Sequence, residues 1–109
     1  MTMPSLNATA RKLVEPGKGI LAADESEPTI AKRFATVGLP STEELRRDYR
    51  EMLFRARKAM ADHISGAILT EETLTQNAAD GTSFRALLPD SDVIPGIKVD
   101  NGAKPLALA

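Results

Sequence analysis

The chain has no cysteine, no tryptophan, one histidine and one tyrosine in 109 residues. Without cysteine there are no disulfides and no thiolate metal sites, and a reducing compartment is the natural setting. With His63 as the single imidazole, a zinc site within the segment has poor support. Charge of either sign is also not in excess: 14 basic against 15 acidic residues give a formal net charge of −1. That balance offers no electrostatic footprint for nucleic acid or for an anionic membrane. No apolar run approaches the roughly 20 residues that span a bilayer. Met1 to Lys12 contain no apolar core of a signal peptide. These absences lead to the expectation of a cytoplasmic protein that binds neither membrane nor nucleic acid. The apolar fraction of 42% and charged fraction of 27% are ordinary for a globular chain and argue against disorder.

What is present is an alternation of two periodicities. Leu6, Ala10, Leu13 and Val14 recur at helical spacing, with Ser5 placed as N-cap and Pro16-Gly17 as a stop. Gly19 to Ala23 is a short apolar run bounded by glycine and acidic residues, which favours a strand. Ser26-Glu27-Pro28 begins a helix whose apolar face is Ile30, Phe34 and Val37 and which Gly38 closes. Ser41-Thr42-Glu43-Glu44 reads as a capping box opening one long helix. Its apolar stripe is Leu45, Tyr49, Met52, Leu53, Ala56 and Met60, with Arg46, Arg47, Arg50 and Arg57 on solvated flanks.

A second apolar run, Gly66 to Leu69, leads into Thr70-Glu71-Glu72. Thr73 to Ala79 and Ser83 to Leu88 are expected as short helices split by the Asp80-Gly81 turn. The third run, Val93 to Asp100, is β-rich although Pro95-Gly96 weakens its first half, and Asn101-Gly102 marks a turn. Strands alternating with helices imply a parallel sheet covered on both faces. Either a small doubly wound sheet or the first part of a (β/α)8 barrel meets that requirement. The chain ends at Ala109 with neither cap nor charged tail, as though the fold continued.

In such folds reactive groups gather at the carboxyl ends of the strands. Here those ends carry Asp24-Glu25-Ser26, Thr70-Glu71-Glu72 and Lys98-Val99-Asp100. The plain reading is that strands stop where polarity begins. Lys98 weighs against it, because a lysine flanked by Ile97 and Val99 either snorkels to a rim or serves a site. Pro16-Gly17-Lys18-Gly19 lacks the first glycine and the final hydroxyl of a phosphate loop, and reads better as a tight turn. His63, near a helix end, suits a surface or dipole role.

From Gly17 to Ser26, Gly-Lys-Gly-Ile-Leu-Ala-Ala-Asp-Glu-Ser followed by Ile30-Ala31-Lys32-Arg33 resembles the first-strand signature of class I fructose-bisphosphate aldolase. Thr42-Glu43-Glu44 with Arg46-Arg47 and Tyr49-Arg50 resembles that family's next helix. Ile68-Leu69 with Glu72-Thr73-Leu74 resembles its second strand, and Gly96 to Asp100 with Pro105-Leu106 its third. The matches are collinear from about Val14 to Leu106.

The resemblance implies the first three βα units of a (β/α)8 TIM barrel, residues 1–109 being the N-terminal part of a single aldolase domain. It implies a cytoplasmic lyase, a homo-oligomer in complete form, that splits fructose 1,6-bisphosphate into dihydroxyacetone phosphate and glyceraldehyde 3-phosphate. Such enzymes use no metal or cofactor; a lysine amine forms a Schiff base with the C2 ketone. By residue, Asp24 matches the aspartate beside that lysine. Ser26 and Lys98 match positions near the 6-phosphate, Arg33 one near the 1-phosphate, and Arg46 an arginine linked with substrate binding. The Schiff-base lysine and the glutamate acid/base match no residue here and are expected on later strands, so the 109 residues alone should be inactive. Ser26-Glu27-Pro28-Thr29 departs from the Ser-Thr-Gly-Ser of animal members, adding a charge and a stiff residue near a phosphate position. Asn101 stands where lysine is common. Two rival readings are a stand-alone module kept for association or regulation and another Schiff-base enzyme of sugar phosphates.

Overall fold

A computed structural model describes residues 5–100 and residue 105. Helix α1, Leu6–Leu13, is capped by the Ser5 hydroxyl, which accepts from the Ala8 N–H at 3.1 Å. Strand β1 is Gly19–Ala23 and helix α2 is Glu27–Ala35, ended near Gly38 at φ 73°. Then come α3, Glu43–Phe54, and α4, Arg57–His63, followed at once by β2, Ile64–Leu69. Short α5, Glu71–Thr75, and α6, Phe84–Asp90, precede β3, Ile94–Ile97. The three strands form one parallel sheet in the order β1-β2-β3.

The single long helix expected after Thr42 is two helices. Ala56 leaves the helical region at ψ 64°. The break lets Phe54 and Met60, 0% and 3% exposed, both face the core. Six residues apart on one unbroken helix they would stand about 120° apart and point to different sides. The buried row of α3 is Arg50 and Phe54, and Met52 from the expected stripe is 62% exposed. Arg50, expected on a solvated flank, is 1% exposed.

The helix expected over Thr73 to Ala79 stops at Thr75. The chain then pairs Asn77 with Ser83 in an antiparallel bridge around the Asp80-Gly81 turn. Asp80 accepts from the Thr82 backbone N–H and from Arg55, which together hold its carboxyl down to about 2. Pro95-Gly96 lies inside β3, with Pro95 paired to Ala67 and Gly96 to Ile68, so the expected weakening does not break the strand.

The register pairs Ala23 with Leu69, and Leu69 with Ile97, placing all three on one face. That face carries the core: Ala23 and Leu69 join Phe54, Phe84, Leu87 and Leu88 under the helices. Phe54 and Phe84 meet edge to face at 5.4 Å. Truncating such a buried phenylalanine costs about 3–5 kcal/mol in comparable cores, against about 0.3–0.5 kcal/mol for an exposed i,i+4 pair such as Lys58–Asp62. Packing therefore sets the sheet's position. The opposite face carries Ile20, Ala22, Ile68 and Gly96 in matched register. Near the start of β2, Leu13 packs over Gly66, and a Cβ added there would lie 2.5 Å from Leu13 Cδ2 and force that side chain to shift. Ile20 remains 51% exposed.

Candidate active site

Each strand ends one residue before a polar group. Asp24, Thr70 and Lys98 follow Ala23, Leu69 and Ile97, the last paired residues of β1, β2 and β3. The Lys98 N–H still donates to the Leu69 carbonyl at 2.9 Å, so the ladder runs into this row. Strand alternation then puts the three on the face of Ala22, Ile68 and Gly96, opposite the helix-covered core. The Lys98 ammonium donates to the Asp24 backbone carbonyl at 2.6 Å and stands 3.5 Å from its Oδ2. Both side chains are partly open, and they line a cleft of about 710 Å³ with Ser26, Thr70, Glu71, Glu72 and Asp100. The Ser26 hydroxyl donates to that of Thr29 at 3.0 Å, which gives the Thr of the divergent loop a direct link to this cleft.

A second cluster shares Ser26, Thr70 and Glu72 with the first and adds Arg46. Arg46 grips Glu72 with two parallel bonds, from Nε at 2.9 Å and Nη2 at 2.7 Å, and donates from Nη1 to Ser41. This fork holds the Glu72 carboxyl below the usual carboxylate range and raises the guanidinium above its own. Glu72 is thus an anion already seated on Arg46, and an incoming anion must share or displace it.

The third cluster centres on Glu25. Its carboxylate accepts from Arg33 at 2.6 Å and from Arg50 at 3.3 Å, with the Tyr49 hydroxyl at 3.5 Å. Arg33 lies along an apolar groove with Phe34, Val37 and Met52, away from the lining of the Asp24 cleft. Of the five residues singled out from sequence, Asp24, Ser26 and Lys98 share one cleft, Arg46 adjoins it and Arg33 is tied to Glu25. Sequence reasoning placed Glu25, Thr70 and Glu72 at strand ends without giving them a role, and it put the buried Arg50 on a solvated flank. The i,i+4 spacing of Arg46, Arg50 and Phe54 was a signal for the buried row, since one of its members is apolar. Thr70 is the N-cap of α5 and accepts from the Thr73 N–H at 3.2 Å, where the sequence reading begins the helix only at Thr73. Among the described residues no group of three or more histidine, aspartate or glutamate side chains is arranged to hold a metal ion. None of their helices is long and apolar enough to cross a membrane.

A parallel sheet with helices and a polar row at its carboxyl edge belongs to the α/β class in which sites are built at strand ends. The family model for class-I fructose-bisphosphate aldolase matches residues 5–109, and the chain belongs to that family. A probable fructose-bisphosphate aldolase class 1 of Xanthomonas campestris pv. campestris is 54% identical over 107 residues, covering 98% of this chain and 32% of the relative. The fructose-bisphosphate aldolase of Echinococcus multilocularis is 54% identical over 104 residues, covering 95% of this chain and 29% of its own. The solved fructose-bisphosphate aldolase of Plasmodium falciparum, in a ternary complex with TRAP and a small-molecule inhibitor, is 46% identical. It superposes with a TM-score of 0.86, covering all of this chain and 33% of its own. The chain spans about a third of the length of these relatives, and its three strands are the first βα units of a TIM barrel.

Proposed function

We propose that these residues form the N-terminal third of a class I aldolase that cleaves fructose 1,6-bisphosphate, and supply part of its site. The contact of Lys98 with Asp24 at the ends of β3 and β1 carries this reading, because it joins a cation and a carboxylate across β2. In the reaction, a lysine amine from a later strand adds to the C2 ketone and loses water to form an iminium. Base removes the C4 hydroxyl proton, the C3–C4 bond breaks with its electron pair flowing into the iminium, and the aldehyde leaves. Protonation at C3 and hydrolysis release dihydroxyacetone phosphate and restore the amine. Asp24 orients that amine and holds reacting hydroxyls. Lys98 and Ser26 bind the 6-phosphate, Arg33 the 1-phosphate, and Arg46 the substrate after exchange with Glu72. A cytoplasmic homo-oligomer is part of the same reading.

The test is a chimera in which residues 1–109 replace the matching segment of the full-length Xanthomonas relative. Lys98→Met keeps the apolar stem and removes the charge. Losing a hydrogen bond to a charged group is worth about 1.5–3 kcal/mol, so KM for the bisphosphate should rise about tenfold or more. KM for fructose 1-phosphate, which offers no 6-phosphate, should rise far less. Equal penalties on both substrates would reject a phosphate role for Lys98.

A further inference from the structure

We propose that Arg50 is a positioning residue that holds the two walls of the cleft in register and acts through Asp24; this rests on the function proposed above. Arg50 lines the cluster next to the cleft, together with Ser26, Arg46, Thr70 and Glu72. Nη2 donates to both the backbone carbonyl and the carboxylate of Glu25, each at 3.3 Å, and Nη1 donates to the Thr73 hydroxyl at 3.2 Å. Glu25 lies between Asp24 and Ser26, so the first two bonds fix the peptide that carries both. Thr73 receives a second bond, from the Thr70 hydroxyl at 3.0 Å, and follows Glu72. One side chain thus joins the exit of β1 to the start of α5, the segments that supply Asp24, Ser26, Thr70 and Glu72.

Stability is a poor reason for a charge in this place. Arg50 is 1% exposed, and its Nε has no partner among the described residues. Replacing a buried ion pair by apolar residues of similar volume is often neutral or stabilising. What an apolar residue cannot do is hold three acceptors on two segments at once. Lysine cannot do it either, since that geometry needs the planar fork of a guanidinium. Arg33 also reaches the Glu25 carboxylate, but its side chain is 59% exposed and it has no bond to α5. Arg50 alone among the described residues makes side-chain bonds to both Glu25 and Thr73.

The chimera carrying Arg50→Lys, Asp24→Asn, or both provides the test. With Asp24 present, Arg50→Lys should lower kcat about tenfold or more, since a displacement of about 1 Å in a catalytic group can cost 10²-fold. In the Asp24→Asn background it should lower kcat by less than about twofold, because residues acting as one unit are not additive. Equal factors in both backgrounds, or an unchanged kcat in the single variant, would overturn the proposal. A second readout needs no turnover. In a crystal structure of the Arg50→Lys chimera, the Asp24 Oδ2 to Lys98 Nζ separation should open from 3.5 Å to beyond the ~4 Å of an ion pair, with Ala23 still paired to Leu69. An Asp24 carboxylate left in place overturns the proposal. If Arg50→Lys does not fold, Thr73→Val keeps the side chain's shape, removes the hydroxyl that ties Arg50 to α5, and should give the same opening and the same non-additivity. A well-folded parent chimera that cleaves nothing refutes the proposed function, while the crystallographic separation still decides the role of Arg50.

Discussion

Asp24→Asn in the chimera lowers kcat for fructose 1,6-bisphosphate by about 10²-fold or more, the scale of a positioned acid–base group. The substitution keeps the side chain's shape and removes its charge and its capacity to accept a proton. It leaves the backbone carbonyl of residue 24 intact, and that carbonyl is the atom on which the Lys98 ammonium rests at 2.6 Å. Lys98 therefore keeps its main anchor, and the loss reports on the carboxylate itself. KM should change far less than kcat, because the phosphate contacts proposed for Lys98 and Ser26 remain. A kcat within a few-fold of the parent removes Asp24 from the mechanism.

Residues 1–109 in isolation should not behave as a sharply folded monomer. Among the described residues both β1 and β3 are edges of the sheet, each with one side that no other strand pairs. Ile20 on the uncovered face is 51% exposed, Ile97 at the edge 43%, and Val99 beyond it 84%. Open edges and contiguous apolar surface drive association. The radius of gyration of 15.6 Å exceeds the roughly 13 Å of a compact domain of this size. The expected signs are binding of an apolar dye, a broad thermal transition and elution ahead of a compact 11.7 kDa monomer. A monomer with one sharp transition would contradict this account of the exposed faces.

The elements that could be read from sequence are those whose signals are local. Ser5, Thr42 and Ser83 cap helices within three residues of themselves, and Gly38 ends one through its own positive φ. The polar residues after each strand were legible for the same reason, since a strand's end is marked by its neighbours. What was not legible depends on partners far along the chain. Arg50 looks like any other helix-flank arginine until Glu25, 25 residues earlier, is folded against it. Arg46 finds Glu72 across 26 residues. Phe54 and Met60 required a break at Ala56 that no proline or glycine announces. Nor does the run Val93 to Asp100 say which face Ile97 takes; the register pairs it with Leu69 on the helix-covered side, opposite Ile20 and Ile68. A one-residue difference in register exchanges the faces of a whole strand, so periodicity alone cannot decide it.

The central claim, that these residues complete a Schiff-base aldolase whose nucleophile lies outside them, is tested most directly by trapping the imine. The chimera is treated with dihydroxyacetone phosphate and borohydride, which reduces the C=N bond to a stable amine, and the modified peptide is located by mass spectrometry. The relative's remainder, lacking the first segment, serves as control and should yield no adduct. In the chimera the adduct should form on one lysine beyond residue 109. A folded chimera that traps nothing, or one that carries the adduct on Lys98 or another lysine within residues 1–109, would contradict the account.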